Sequence, residues 1–224
     1  MSAATILMMA DGFGIDLLDV KAENICFVTL AEHLGKEKRY NGATPRTEYS
    51  VAQHCVLGAD AILSDGGTET ESAYFLLHDA QESLWKDDPT PKKRAIAERI
   101  QDRCGVTADR ILDVLNGIVA EHDAAIHQAA GLPYPVPTEI EQIVHLYDKK
   151  MFVTEWQQLM HDWPHPNWSD YAGLDPIAVK IKPWRWDYAC NQWMKRAKLL
   201  LPLFRLGGTP NIIEQVHEYS ENVI

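Results

Sequence analysis

Three His-Asp dipeptides stand in the sequence, at His78-Asp79, His122-Asp123 and His161-Asp162. The first interrupts an apolar run, Ala73-Tyr-Phe-Leu-Leu77, and is followed by Glu82, four residues after His78 and therefore on the same helical face, one turn along. A buried His, Asp and Glu this close together are costly to desolvate unless a metal or ion pairs satisfy them. A second imidazole, His54, is embedded among Val51, Ala52, Cys55, Val56 and Leu57. Farther on, Ile140, Ile143, Val144, Tyr147 and Met151 define an apolar helical arc, and Asp148 falls inside that arc rather than opposite it. His54, His78, Asp79 and Asp148 together make two imidazoles and two carboxylates. Such a mixed set suits one divalent transition metal, with Mn, Fe, Co, Ni and Zn all acceptable, and leaves positions open for water and substrate.

The other two dipeptides have plainer readings. His122 lies on the apolar side of the helix carrying Ile111, Leu115 and Val119, with no further ligand-bearing helix to meet it, and reads as a core histidine. His161-Asp162 precedes Trp163-Pro164-His165-Pro166, where the prolines indicate a loop.

For the four ligands to meet, their segments must be helices packed face to face. The spacing predicts helices over Val28 to Leu34, over Ser50 to Leu63 with Ser50 as N-cap, over Glu69 to Trp85 and over Pro91 to Cys104. Thr107 opens another, which Gly131-Leu-Pro-Tyr-Pro-Val-Pro137 ends. Thr138 and Glu141 read as a capping box for the helix that carries Asp148, and a last helix runs from Trp186 to about Leu206. Near the N-terminus, Gly-Phe-Gly at 12–14 divides two short apolar runs between Thr5 and Leu18, the pattern of a small β-hairpin or extended arm. The expectation is a single all-α domain over residues 1–224, with a β element within 1–24 and an aromatic-rich loop and C-terminal helix over 155–224 packing on the bundle.

The formal charge of −11, from 21 Lys and Arg against 32 Asp and Glu, denies the chain a broad electropositive footprint. Polymeric nucleic acid and anionic membrane are therefore excluded as expected partners, whereas a small phosphorylated ligand can still bind where a metal and a few local cations reverse the field. Four dispersed cysteines, Cys26, Cys55, Cys104 and Cys190, make no Cys-x-x-Cys pair, and no apolar run approaches a membrane span. A cytoplasmic protein is expected, with a homodimer left open. The sequence carries no P-loop or Gly-x-Gly-x-x-Gly stretch for phosphate binding and no nucleophilic Ser or Cys motif.

The series His54, His78-Asp79, Asp148 resembles the H…HD…D ligands of the HD-domain metal-dependent phosphohydrolases. The stretches Arg39-Tyr-Asn-Gly, Tyr49-Ser-Val-Ala-Gln-His54 and Leu76-Leu-His-Asp-Ala-Gln-Glu82 look like a bacterial and phage branch that includes 5′-deoxynucleotidases and deoxynucleoside triphosphohydrolases. The likeness covers roughly residues 1 to 155. It implies an HD-domain helical bundle and hydrolysis of a small nucleotide by an activated water. A deoxynucleoside 5′-monophosphate leads as substrate, release of triphosphate from a dNTP is one alternative, and a non-catalytic binding module is another. By the same resemblance Arg39 grips the substrate phosphate, and Tyr40 stands where an aromatic residue, usually tryptophan, packs beside the sugar. The resemblance also implies Glu82 and Asp87 as the catalytic carboxylates, with Asp88 competing for the inward position; by charge alone, Lys92 or Lys93 is a weaker candidate for a further phosphate contact.

Each of these has an ordinary alternative. Arg39 can form a surface ion pair and Tyr40 can fill core or rim, while Asp87 and Asp88 can be turn formers before Pro89 and Lys93 part of a solvated helix start.

Overall fold

The computed structural model describes residues 5–45, 47–86, 89–160, 168–171 and 173–205. The fold is all-α with a small N-terminal hairpin, as the patterning predicts. Strands β1 (Ile6–Met8) and β2 (Gly14–Asp16) pair antiparallel with Leu7 opposite Ile15. Helices follow: α1 (Phe27–Lys36), α2 (Val51–Ser64), α3 (Glu69–Leu77), α4 (Glu82–Trp85), α5 (Thr90–Cys104), α6 (Ala108–Ala130), α7 (Thr138–Leu159), α8 (Trp186–Leu200) and α9 (Pro202–Arg205). No helix among the described residues is long and apolar enough to cross a membrane.

Helix α2 is the axis of the fold. It buries residues around its whole circumference, from Val51, Ala52, Gln53, His54 and Cys55 to Ala59 and Ile62, because α1, α3, α7 and α8 all pack against it. Ser50 caps it by accepting from the Gln53 amide at 3.2 Å. Gly58 lets α3 come close, since a Cβ there would lie 2.1 Å from Phe75 Cε1. Gln53 ties α2 to the segment before α8, donating from its side chain to the Lys182 carbonyl and accepting from the Trp184 amide, both at 2.9 Å. Helices α5 and α6 pair with each other, and apart from Ala108 the buried positions of α6 gather in its second half at His122, Ala125, Ile126, His127 and Ala130.

Three expectations are corrected. The single helix over Glu69 to Trp85 is two: α3 ends at Leu77, and the hydrogen bonds from Ala80 N to Leu77 O and from Glu82 N to Asp79 O form tight turns leading into α4. Glu82 therefore does not follow His78 along one regular helical face. The capping box at Thr138 and Glu141 does not form, because Pro137 takes the N-cap position and Thr138 is already helical; the capping box that does form is Thr68 with Glu71, at the head of α3. The last long helix stops at Leu200, ahead of Pro202, which cannot supply the N–H needed to continue it. His161-Asp162 lies outside the described residues.

Candidate metal centre

His54 comes from the first half of α2, His78 and Asp79 from the end of α3, and Asp148 from the middle of α7. Neighbouring residues of a continuous helix point about 100° apart. His78 and Asp79 nevertheless reach one point, because α3 ends immediately before them and the chain tightens into turns. The distances between donor atoms are short: His54 Nε2 lies 3.2 Å from His78 Nε2, 3.3 Å from Asp148 Oδ1 and 3.8 Å from Asp79 Oδ2. His78 Nε2 lies 3.3 Å from Asp79 Oδ2 and 3.8 Å from Asp148 Oδ1. Ligands about 2.1 Å from a shared ion are separated by roughly 3.0 Å at right angles and roughly 3.4 Å at the tetrahedral angle.

The two imidazoles are oriented from behind. His54 Nδ1 faces Glu155 Oε1 at 2.6 Å, and His78 Nδ1 faces the Phe75 carbonyl oxygen at 2.7 Å. Both partners are acceptors, so both Nδ1 atoms donate and both Nε2 atoms face the cluster. At 3.2 Å the two Nε2 atoms can share a cation, whether a proton carried by His78 or a metal ion. Charge points the same way. The carboxylates of Asp79, Asp148 and Glu155 surround the single guanidinium of Arg39, a negative excess that a protonated His78 reduces and a bound cation would offset. The donors fall into two overlapping groups that could hold a metal ion, His54, His78 and Asp148, and Cys55, His78 and Asp79, with His78 common to both.

Electrostatics follow from that crowding. Burial works against a charged His78, but Asp79 and Asp148 raise its pKa well above the ordinary value. Burial likewise works against an ionised Asp148, and the two histidines overcome it, holding the carboxyl well below the usual range. Cys55, next to His54 and within ligand distance of His78 and Asp79, is pushed up to about 11 by burial and stays a neutral thiol.

Arg39 reaches the centre as expected, but its guanidinium is already engaged. Nη1 donates to Asp79 Oδ2 at 2.9 Å and Nε to Glu155 Oε2 at 3.2 Å, while Nη2 stands 4.0 Å from Asp148 Oδ1. Tyr40 donates its hydroxyl to Glu155 Oε2 at 2.6 Å, and its ring adjoins Phe152 and Trp156, with centroids 6.3 and 6.4 Å away. Both residues lie in a short 3-10 turn, Arg39–Gly42, in which Tyr40 and Asn41 have φ of 57° and 53°. Glu82 opens α4, near enough that its charge acts on the Cys55 thiol. Lys93 lies in the first turn of α5 and makes no hydrogen bond or ion pair to the ligand cluster among the described residues. Asp87 and Asp88 lie outside the described residues.

Two residues escaped the sequence reading. Glu155, wholly buried, stands seven positions after Asp148, two helical turns along the same face of α7, and that spacing was the available signal. Asp123, beside His122, is the other. His122 is indeed a core histidine, its Nε2 donating to the Leu17 carbonyl at 2.8 Å with Trp85 edge-on at 5.9 Å. Asp123 points elsewhere: its Oδ1 is buried without a hydrogen-bond partner among the described residues, and the carboxyl is pushed up to about 7 by burial and then by the charge of Asp79, partly offset by His78. No protein-family model matches the chain, and no curated protein matches it either.

Proposed function

We propose that this chain is a metal-dependent phosphohydrolase of the HD-domain type, cleaving a phosphate ester of a small nucleotide, with a deoxynucleoside 5′-monophosphate as the leading substrate class. The observation that carries this reading is the pair of inward-facing Nε2 atoms, 3.2 Å apart, ringed by the Asp79 and Asp148 carboxylates with a guanidinium alongside. A divalent metal bound there would supply a Lewis acid for the phosphoryl group and would acidify water toward neutral pH. Of the five N–H donors on Arg39, two are committed to Asp79 and Glu155, and the rest remain for phosphate oxygens in the two-pronged grip that guanidinium favours. Glu82 serves as the proton-transfer carboxylate, taking a proton from the attacking water or delivering one to the leaving alkoxide. The resemblance of the His54, His78-Asp79, Asp148 series to the HD-domain enzymes supports the class, and the acidic surface of the chain supports a small substrate over a polymeric one.

The deciding experiment incubates metal-loaded protein with ribo- and deoxynucleoside mono- and triphosphates and assays phosphate, pyrophosphate and triphosphate separately. Phosphate released from a monophosphate is the expected result. Triphosphate released from a dNTP would move the enzyme to the triphosphohydrolase alternative. Metal and nucleotide binding with no product would make it a regulatory module, and absence of metal uptake would overturn the centre itself.

A further inference from the structure

A carboxylate with no exposed surface is costly to keep ionised, and Glu155 has none. Burial works against its charge, yet Arg39 and His54 hold it below the ordinary carboxyl range. Its oxygens are divided between two tasks. Oε1 accepts from His54 Nδ1 at 2.6 Å, whereas Oε2 accepts from Arg39 Nε at 3.2 Å and from the Tyr40 hydroxyl at 2.6 Å. The second task has a mechanical reason. Arg39 and Tyr40 lie in a turn where Tyr40 and Asn41 adopt left-handed backbone, a conformation costing about 1 to 2 kcal/mol per residue. Besides the pairing of the Arg39 amide with the Tyr49 carbonyl at 3.0 Å, the turn is fastened to the body by these side-chain bonds to Glu155 and by Arg39 with Asp79.

Resting on the reading that His54 ligates a metal, we propose that Glu155 is the positioning residue of the centre. Its one carboxylate sets the His54 ring for ligation and, through its other oxygen, holds Arg39 and Tyr40 at the edge of the same site. Metal affinity and phosphate grip are then governed by a single buried group on α7 that touches neither metal nor substrate. A carboxylate behind a ligating imidazole fixes the tautomer and strengthens the ring as a donor, and loss of such a partner typically lowers metal affinity about 10- to 100-fold. An amide in its place cannot serve both sides. If its oxygen faces His54, its NH2 group meets the Arg39 N–H, which cannot accept; if reversed, it meets the His54 N–H.

The test uses the full chain with Glu155→Gln and Glu155→Asp, titrated with Zn2+ and Mn2+ and followed by metal content, and then assayed for nucleotide KM and kcat at saturating metal. Glu155→Gln should weaken metal about 10- to 100-fold and raise KM well beyond its effect on kcat, and Glu155→Asp, which keeps the charge, should recover part of the metal affinity. Metal affinity and KM equal to the parent's in both variants would overturn the role of Glu155 while leaving the centre intact. A parent that takes up no divalent metal would instead overturn the centre. Should the buried substitutions prevent folding, long-range 1H–15N imidazole correlations on the unaltered Zn2+-loaded protein still decide the matter. His54 must be protonated at Nδ1 with Nε2 on the metal, and the opposite tautomer would refute the proposal.

Discussion

Asp123 offers a measurement of the electrostatic cost of the centre that does not depend on knowing the substrate. Its carboxyl is buried on α6 without a hydrogen-bond partner for Oδ1 among the described residues, and burial and the Asp79 charge lift it from an ordinary 3.8 to about 7. Between those two values the folded protein retains a proton that the unfolded chain has released. Stability therefore falls as pH rises through that window and levels off above it. The full difference between the protonation states is roughly 4 kcal/mol, reduced to about 2 to 4 kcal/mol by the partial exposure of the side chain. Asp123→Asn removes the titration and leaves the shape. Urea unfolding of parent and variant at three pH values, roughly 4.5, 6 and 8, with chelator present, should show the variant gaining on the parent as pH rises, by about 2 to 3 kcal/mol across the series. In a chain of 224 residues that is a relative rise in Tm of roughly 4 to 12 °C. Any constant offset from burying an amide cancels in the comparison. A difference that does not change with pH would refute the reasoning, because it would mean Asp123 is ionised in the fold at little cost.

Further outcomes follow from the same geometry. Asp79→Ala should abolish metal content and activity together, whereas His122→Ala should leave metal content unchanged and lose about 1 to 3 kcal/mol of stability by orphaning the Leu17 carbonyl, as read by elemental analysis and urea unfolding. Glu82→Gln should retain metal and bind nucleotide while kcat falls by about 10² to 10⁴ in a steady-state assay; loss of metal would make Glu82 a ligand, and an unchanged rate would pass its role to Asp87 or Asp88. Gly58→Ala should cost about 1 to 3 kcal/mol, since the new Cβ would meet Phe75 Cε1 at 2.1 Å. Because the Phe75 ring lies 4.4 Å from the His78 ring, metal affinity measured by titration should fall with it.

The parts of the centre visible in the sequence were those whose residue types conflict with their surroundings. His54 amid small apolar residues and Asp148 inside an apolar arc are anomalies of periodicity, and periodicity survives folding. The hairpin was legible for the same reason, since glycines between two apolar runs leave few other choices. Breaks in helices were less visible. Nothing in Ala73-Tyr-Phe-Leu-Leu77 announces that α3 stops there, and the turns after it are imposed by packing and by the need to bring two adjacent side chains to one point. Thr138 carries the right neighbour for a capping box, but Pro137 shifts the helix start by one residue and the box is lost. Glu155 stayed hidden because a glutamate in a mixed helix is ordinarily solvated, and only the meeting of α2, α7 and the Arg39 turn makes it interior.

The left-handed pair Tyr40 and Asn41 has a consequence for directed evolution. Glycine adopts that backbone without steric cost, so Asn41→Gly at this exposed position would raise heat resistance where the relief of local strain exceeds the entropy glycine adds to the unfolded chain. The same change would free the turn to sample shapes in which Arg39 no longer faces the Asp79 and Glu155 carboxylates. A library sorted for survival after heating should therefore enrich glycine at 41, while one sorted for turnover should purge it. That divergence, at one surface codon far along the chain from Asp148 and Glu155 on α7, would mark the turn as a place where folding and chemistry select in opposite directions.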